Sequence, residues 1–74
     1  MGNIPALKPK EAVALLIKHG FRETRQSGSH KQFRHPDGRV TTVPFHAGRD
    51  LSPILLRQIC KDIGLTVEDF IHHP

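Results

Sequence analysis

The stretch HKQFRHPDGRVTTVPF, residues 30–45, decides the fold of this chain. Two short segments flank the letters HPDG at 35–38, which are typical of a type I turn followed by a glycine bulge. Segments of this length on either side of such a turn predict a β-hairpin. The spacing places Phe33 opposite Thr41 in neighbouring strands.

The predicted hairpin has two different faces, because side chains alternate along a strand. One face is largely apolar and is expected to meet the core, and it contains Phe33, Thr41, Val43 and Phe45. The opposite face is polar and basic, and it contains His30, Gln32 and Arg34. A hairpin with this pattern needs helices on its apolar side only.

The residues before the hairpin predict a helix from Pro9 to Lys18 and then a strand over 21–26. Proline suits the first turn of a helix, and Gly20 follows where a left-handed residue often ends one. The residues expected to form the buried stripe are Val13, Leu16 and Ile17. Leu15 lies beside this stripe and is expected to widen it.

A second helix is predicted after the hairpin. Ser52 is a favourable N-cap, and Pro53 follows at the first helical position. The apolar stripe of this helix is expected to consist of Leu55, Leu56, Ile59, Cys60 and Ile63. Gly64 ends the helix, and Thr66 begins a short helical turn with Asp69 three residues later as an approximate capping box.

These elements predict an α+β fold with the order α-β-β-β-α. Two helices with one apolar stripe each must bury them, and the apolar face of a three-stranded antiparallel sheet is the available surface. Both helices are therefore expected on one face of the sheet. With 74 residues the chain is expected to form a single domain over 1–74.

The composition of the chain indicates which class of partner and which compartment to expect. Eleven Lys and Arg residues against seven Asp and Glu residues give a formal net charge of +4, which suits a phosphate-rich partner such as RNA. The single cysteine excludes an internal disulfide and favours a reducing compartment, most simply the cytoplasm. No apolar run approaches the length of a membrane span, so no membrane association is expected.

His30 is the candidate catalytic residue, since an exposed imidazole can give or take a proton near neutrality. Arg25, Lys31 and Arg34 are expected to hold a phosphate group and to stabilise negative charge that develops on it. RNA supplies its own nucleophile in the 2′-hydroxyl group, so cleavage needs neither a covalent residue nor a metal. The residues alone leave open catalysis, plain RNA binding and a protein-interaction role.

The other histidines each have a structural interpretation. His46 is interpreted as a residue that bonds backbone groups at a loop entry, with a second proton carrier or a phosphate contact as the functional alternatives. His35 belongs to the turn, His19 ends a helix, and the last two, His72 and His73, belong to the tail. No ligand spacing typical of zinc occurs, so no metal or other cofactor is expected. Cys60 is expected to be a buried small hydrophobic residue.

Three stretches of the chain, in order, resemble the HicA toxin family, the small mRNA interferases of bacterial and archaeal toxin–antitoxin pairs. They are LKPKEAVALLIKHGF (7–21), RQSGSHKQFRHPDGR (25–39) and TTVPFHAGRDLSPILLRQICKDIGLTVEDF (41–70). The resemblance spans roughly residues 7 to 71. Its most specific elements are a Gly-Ser-His strand, a Val-Pro-x-His strand end and a closing Ile-Gly-Leu.

The resemblance implies a fold similar to the double-stranded RNA-binding domain and cleavage of mRNA without the ribosome. His30 matches the catalytic histidine of the family, and Gly28 and Ser29 match the two residues before it, which are expected to shape the substrate site. The implied partner is a HicB-type antitoxin that covers the active face. Lys10 and Arg39 join the three cations named above as expected phosphate contacts. A non-catalytic RNA-binding module of the same fold is the main alternative.

Overall fold

A computed structural model of the chain describes residues 6–46 and 48–72. The elements, in chain order, are α1 (Pro9–Lys18), β1 (Arg22–Ser27), β2 (His30–Arg34), β3 (Val40–Pro44), α2 (Pro53–Ile63) and α3 (Val67–Ile71). The strands form one antiparallel sheet in the order β1-β2-β3. The α+β class and the element order are as predicted, and His73 lies outside the described residues.

The β2–β3 hairpin has the predicted register, with Phe33 opposite Thr41. Its turn closes where the N–H of Gly38 donates to the carbonyl of His35 at 2.9 Å, and Gly38 has a φ of +100°. That positive φ lies in the region that glycine enters without steric cost, as the predicted glycine bulge requires. The turn chemistry of four residues thus fixes which side chains of both strands face the core.

The core lies between one face of the sheet and the helices. The buried apolar side chains come from every layer, and they are Ala12, Leu16, Phe21, Phe33, Val43, Leu51, Leu56, Ile59, Cys60, Ile63 and Phe70. Thr41 is buried among them, and its hydroxyl group donates to the Asp62 carboxylate at 3.0 Å. Both long helices therefore cover the apolar face of the hairpin. The opposite side of the sheet, called here the open face, carries His30, Gln32 and Arg34 of β2 and is exposed to solvent.

The predicted apolar stripes of the helices need correction. In α1 the side chains of Pro9, Ala12 and Leu16 are buried, whereas Ile17 is 58% exposed and Val13 is only partly buried. Spacings of three and four residues fit either stripe, and the small Ala12 side chain lets the helix approach the sheet closely.

The apolar stripe predicted for α2 contains one residue more than the helix buries. Leu56, Ile59, Cys60 and Ile63 are buried as predicted, but Leu55 is 38% exposed. Four residues at this spacing already cover the helix face that packs on β3. Phe45 was also expected on the core face, yet it follows the end of β3 and is only partly buried.

The helix ends follow the sequence signals. The Ser52 hydroxyl accepts from the N–H of Leu55 at 3.2 Å, and the Thr66 hydroxyl accepts from the N–H of Asp69 at 3.0 Å. Gly64 ends α2 with a φ of +74°. Each device satisfies backbone groups that a helix leaves without a partner inside the helix.

Strand β1 is the exposed edge of the sheet. All six of its residues are exposed, and a register shift between Glu23 and Arg25 marks a bulge at Thr24. The helices pack toward β3 on the opposite edge, so β1 has solvent on both sides. Bulges and charged side chains are common protections of such edges against pairing with another chain.

The junction between α1 and the sheet depends on Gly20 and His35. Gly20 has a φ of +93°, and a Cβ atom at this position would lie 2.9 Å from Nε2 of His35. The His35 ring in turn packs edge-on against Phe21 with ring centroids 5.0 Å apart. The turn of the β2–β3 hairpin therefore packs closely against the end of α1.

We expect Gly20→Ala to lower the free energy of unfolding by more than about 2 kcal/mol. The left-handed backbone conformation alone costs a residue with a Cβ roughly 1–2 kcal/mol, and the contact with His35 adds to this cost. Gly64→Ala is the matched control, because a Cβ there meets no atom within 4 Å although φ is +74°. Equal losses in chemical denaturation of both variants would show that the contact with His35 does not matter.

The start of α1 is tied to the start of α2 by an isolated bridge. The N–H of Leu51 donates to the carbonyl of Leu7 at 2.7 Å. This bond brings the segment before α1 next to the loop between β3 and α2. Among residues 6–46 and 48–72, no helix has the length and hydropathy needed to cross a membrane.

Candidate active site

The Gly-Ser-His element forms the turn between β1 and β2. Ser27 is the register partner of His30, so Gly28 and Ser29 are the two turn residues. Gly28 has a φ of +58°, and no non-glycine residue in the described chain has a positive φ. A positive φ at the first turn residue only is the pattern of a type II′ hairpin, which favours glycine there. The Gln26 side-chain amide braces the turn by donating to the Gly28 carbonyl at 3.1 Å.

The turn positions His30 at the first residue of β2, on the open face. The carbonyl of Ser29 accepts a hydrogen bond from the N–H of Phe45, which joins this turn to the residues after β3. As a result the ring of His46 lies beside the ring of His30, with centroids 6.4 Å apart and an interplanar angle of 79°. Both side chains are exposed to solvent. These two residues are called here the histidine pair.

The histidine pair has the composition of an acid–base site. Each neutral imidazole has one nitrogen that donates and one that accepts, so the two rings together offer both roles without a metal. Exposure on the open face leaves both rings accessible to a large polymeric substrate. Sequence reasoning favoured a loop-entry residue at His46 over a proton carrier or a phosphate contact. The geometry adds its closeness to His30.

Two of the predicted arginines share the open face with His30. Arg25 is the register partner of Gln32, which lies two residues from His30 on β2. Arg25 is therefore one row of side chains, about 7 Å along the strand, from His30. Arg34 lies two rows away, about 13 Å along β2. Arg25 is therefore placed near His30, and Arg34 lies further away along the open face.

Arg22 is a basic residue of this face that sequence reasoning missed. It is the register partner of Arg34, so two guanidinium groups face each other across the strands. Both arginines line a cleft of about 160 Å³, together with Thr24, His35 and Pro36. Like charges directly opposite each other in a sheet are destabilising unless an anion lies between them.

Lys31 does not share a face with His30. It is the register partner of the buried Val43, so its side chain leaves the sheet on the helix side. The Nζ atom lies 4.4 Å from the centroid of the Phe45 ring and 3.9 Å from Oε1 of Glu23. The structure thus separates Lys31 from the two predicted arginines.

Arg39 has structural contacts instead of a free guanidinium group. Its Nε donates to both carboxylate oxygens of Asp37 at 2.9 and 3.1 Å, and its Nη1 donates to the carbonyl of Ile63. The guanidinium carbon also lies 5.2 Å from the ring centroid of Phe21. These bonds hold the β2–β3 turn against the end of α2. The hydrogen bond from the Arg39 side chain is the main cause that lowers the pKa of the Asp37 carboxyl group.

The depressed pKa of Asp37 predicts a loss of stability in acid. A carboxyl group whose pKa is lower in the folded than in the unfolded chain stabilises the fold above its unfolded pKa of about 4. That contribution disappears as the pH falls through the folded value. We therefore expect Asp37→Asn to melt at a lower temperature than the original chain at pH 7. The difference should shrink as the pH falls below about 4 and should vanish in strong acid. A difference that persists in strong acid would mean that the turn depends on the shape of Asp37 and not on its charge.

A comparison with models of known protein families gives a match that contains these motifs. The model of the family described as HicA toxin of bacterial toxin–antitoxin matches residues 9–65, which is most of the chain. This chain belongs to the HicA toxin family. The matched span includes both members of the histidine pair. The comparison with curated proteins gave no match.

Three further titratable residues of this HicA chain, Cys60, His19 and His72, have structural surroundings. Burial raises the pKa of the Cys60 thiol to about 11, which leaves it protonated and unreactive near neutrality. Nε2 of His19 donates to the carbonyl of Phe70 at 3.0 Å, and the N–H of His72 caps α3. Among the described residues no three histidine, cysteine or acidic side chains come together as a metal cluster.

Proposed function

We propose that this HicA protein is a metal-independent, ribosome-independent endoribonuclease that cleaves mRNA in the cytoplasm. His30 acts as a general acid or base, Gly28 and Ser29 shape the entry to its site, and the arginines of the open face bind phosphates. Membership of a toxin family supports the toxin role, which cleavage of mRNA would explain. The observation that carries the proposal is the placement of His46 beside His30, with ring centroids 6.4 Å apart.

The proposed reaction is an internal transfer at phosphorus. The 2′-oxygen of one nucleotide forms a bond to the adjacent phosphorus, and the bond from phosphorus to the 5′-oxygen of the next nucleotide breaks. One histidine takes the proton of the 2′-hydroxyl group, and the other gives a proton to the leaving 5′-oxygen. The products are a 2′,3′-cyclic phosphate and a 5′-hydroxyl group. Each ring nitrogen must approach its oxygen to about 2.6–3.2 Å, so one phosphodiester must lie between the two rings.

The charges of the open face support the same proposal. Arg25 lies one row from His30, and a guanidinium group there stabilises the extra negative charge of the pentavalent phosphorus. The opposed pair of Arg22 and Arg34 repel each other in the free protein. A bound phosphate group relieves that repulsion, so the open face gains stability when an RNA backbone covers it.

The antitoxin is proposed to act on this face. Toxin–antitoxin families function with an inhibitory partner, and we propose a HicB-type protein whose acidic groups lie over His30 and the arginines. Such a surface complements the charge of the toxin and speeds their association. In a competition assay the antitoxin should displace labelled RNA from the toxin.

The proposed function is tested by cleavage of an mRNA fragment with purified protein in excess EDTA. Cleavage should proceed at the same rate with and without the chelator, since the histidine pair supplies both proton transfers. The new 3′ ends should carry a 2′,3′-cyclic phosphate or its hydrolysis product. Activity that is lost in EDTA and restored by a divalent ion would overturn the mechanism.

A non-catalytic RNA-binding role is the second candidate function. It is favoured by the three exposed arginines of β1 and β2, Arg22, Arg25 and Arg34, which bind phosphates equally well without a histidine. Binding of intact RNA with no cleavage under any condition would support this role over the first.

A further inference from the structure

A second basic surface, separate from the open face, borders His46. It is a cleft of about 540 Å³ between the first turn of α1 and the loop that follows β3. The described residues that line it are Lys8, Pro9, Lys10, Phe45, His46, Gly48, Arg49 and Asp50. Since His46 belongs to both the histidine pair and this lining, the cleft is continuous with the candidate active site.

Backbone hydrogen bonds build the cleft. The bond from Leu51 to Leu7 holds the start of α1 against the loop before α2. Within that loop, the N–H of Arg49 donates to the carbonyl of His46 at 3.2 Å. Residues that are about 40 positions apart in sequence therefore form one wall. The backbone of Arg49 is therefore held close to His46.

The charge of the cleft is unbalanced. Three cationic side chains line it, those of Lys8, Lys10 and Arg49, against the single carboxylate of Asp50. In the described part of the chain, the ion pairs involve none of these cations and lie instead at Lys31, His35 and Arg39. A lining with three cationic side chains and one carboxylate favours a polyanionic ligand.

We propose that this cleft binds the stretch of single-stranded RNA adjacent to the scissile bond, with Lys8, Lys10 and Arg49 on its phosphates and Phe45 against a base. This inference rests on the proposed function, because it names the form of the substrate at the same site. It also divides the binding surface in two. The arginines of the open face hold the RNA on one side of the histidine pair, and the cleft holds it on the other.

The aromatic lining favours an unpaired strand. Single-stranded nucleic acids bind in grooves where cations follow the backbone and aromatic rings stack on exposed bases. In a duplex the bases are stacked on each other and cannot reach Phe45. Attack by a 2′-oxygen also needs the ribose to rotate until this oxygen is in line with the leaving oxygen, and a paired A-form strand opposes that rotation.

The test measures binding to a ten-residue RNA in which every 2′-hydroxyl group is methylated, so that the protein cannot cleave it. The double variant Lys10→Ala, Arg49→Ala removes two cations of the cleft. The matched control Lys18→Ala, Lys61→Ala removes two exposed cations from the last turns of α1 and α2. A duplex of the same sequence is the second ligand, and thermal melts establish that each variant is folded.

We expect the cleft variant to bind the single strand at least 10-fold more weakly at low salt, and the control variant to change by less than about 2-fold. Loss of two phosphate contacts should also make the slope of log K against log salt less negative by about 1.4. Phe45→Leu should weaken binding without changing this slope, because a ring carries no charge. The duplex should bind more weakly than the single strand.

Equal losses in the cleft and control variants would overturn the proposal, and so would tighter binding of the duplex. RNA binding that is unchanged in the cleft variant while antitoxin binding falls would show that the cleft is a protein-binding surface instead. The methylated RNA separates this inference from the proposed function. Failure to cleave unmodified RNA sinks the nuclease, whereas cleft binding is measured without cleavage.

Discussion

His30→Ala should lower the rate of RNA cleavage by about 10²–10⁴-fold, the range typical of a lost general acid or base. The imidazole lies on the open face beside His46, and no neighbouring side chain on its strand can exchange a proton near neutrality. Expression of the variant in cells should no longer inhibit growth. Single-turnover cleavage of a labelled RNA gives the rate directly.

The fold of the His30→Ala protein should be unaffected. The side chain is exposed, and surface substitutions usually change the free energy of unfolding by no more than about 0.5 kcal/mol. RNA binding should also persist, since the cations that contact phosphates remain. A variant that is folded, binds RNA and cleaves it at the original rate would show that His30 is an ordinary surface residue.

His46 provides a second test of the pair. His46→Ala should lower the cleavage rate within the same range, and the double variant should be little worse than either single one, because residues that act together are not additive. The rate should have a bell-shaped pH dependence when both histidines are present. Loss of one limb of the bell in His46→Ala would identify its protonation state in the reaction.

Phe33→Ala should have the largest effect on stability, a loss of about 3–5 kcal/mol in the free energy of unfolding. The ring is fully buried in the centre of the sheet, and its removal leaves a cavity that the helices cannot fill. Small domains have a total stability of only about 5–15 kcal/mol, so the variant should be partly unfolded at 37 °C. Urea denaturation followed by circular dichroism measures the loss.

Gln32→Ala is the matched control for Phe33. It lies one residue away on the same strand but on the open face, where it is exposed. The free energy of unfolding of the Gln32→Ala protein should change by no more than about 0.5 kcal/mol. The comparison also separates two ways to lose toxicity, because Phe33→Ala should abolish activity through unfolding and His30→Ala through chemistry. Similar melting temperatures for the two strand variants would mean that the hairpin register is wrong.

The hairpin and the helix ends could be predicted from the sequence because short-range chemistry determines them. Proline, aspartate and glycine fix the turn at 35–38, and the turn fixes the register of Phe33 against Thr41. The serine N-cap of α2 and the glycine after it act through the same local hydrogen bonds that define a helix end. None of these needs information from distant parts of the chain.

The buried stripe of α1 could not be predicted in the same way. Ile17 is larger and more apolar than Ala12, so composition favours burying it, yet Ile17 is 58% exposed and Ala12 is fully buried. The rotation of the helix is set by how closely it approaches the sheet, which depends on tertiary packing. Apolar periodicity alone cannot decide between two buried stripes that are shifted by one residue along the helix.

The candidate site was predicted only in part. His30, Gln32 and Arg34 were correctly assigned to one face, because alternation along a strand is a local property. Arg25 was expected only as a phosphate contact, and its place on this face follows from a register that includes the bulge in β1. Lys31 was grouped with them although the same alternation places it on the opposite face.

The closeness of His46 to His30 was not predicted, although the hairpin register contains a signal for it. Pro44 is the register partner of His30, and His46 follows two residues later.

The hydrogen bond between Ser29 and Phe45 makes the assembly of the histidine pair measurable without a substrate. The amide proton of Phe45 is protected from exchange with deuterium only while the Gly-Ser-His turn and the segment before His46 are joined. If its exchange is as slow as that of the β2–β3 amides, the two histidines separate only when the whole sheet opens. Faster exchange at this one position would reveal local opening, and its rate would give the fraction of time that the two histidines are held together.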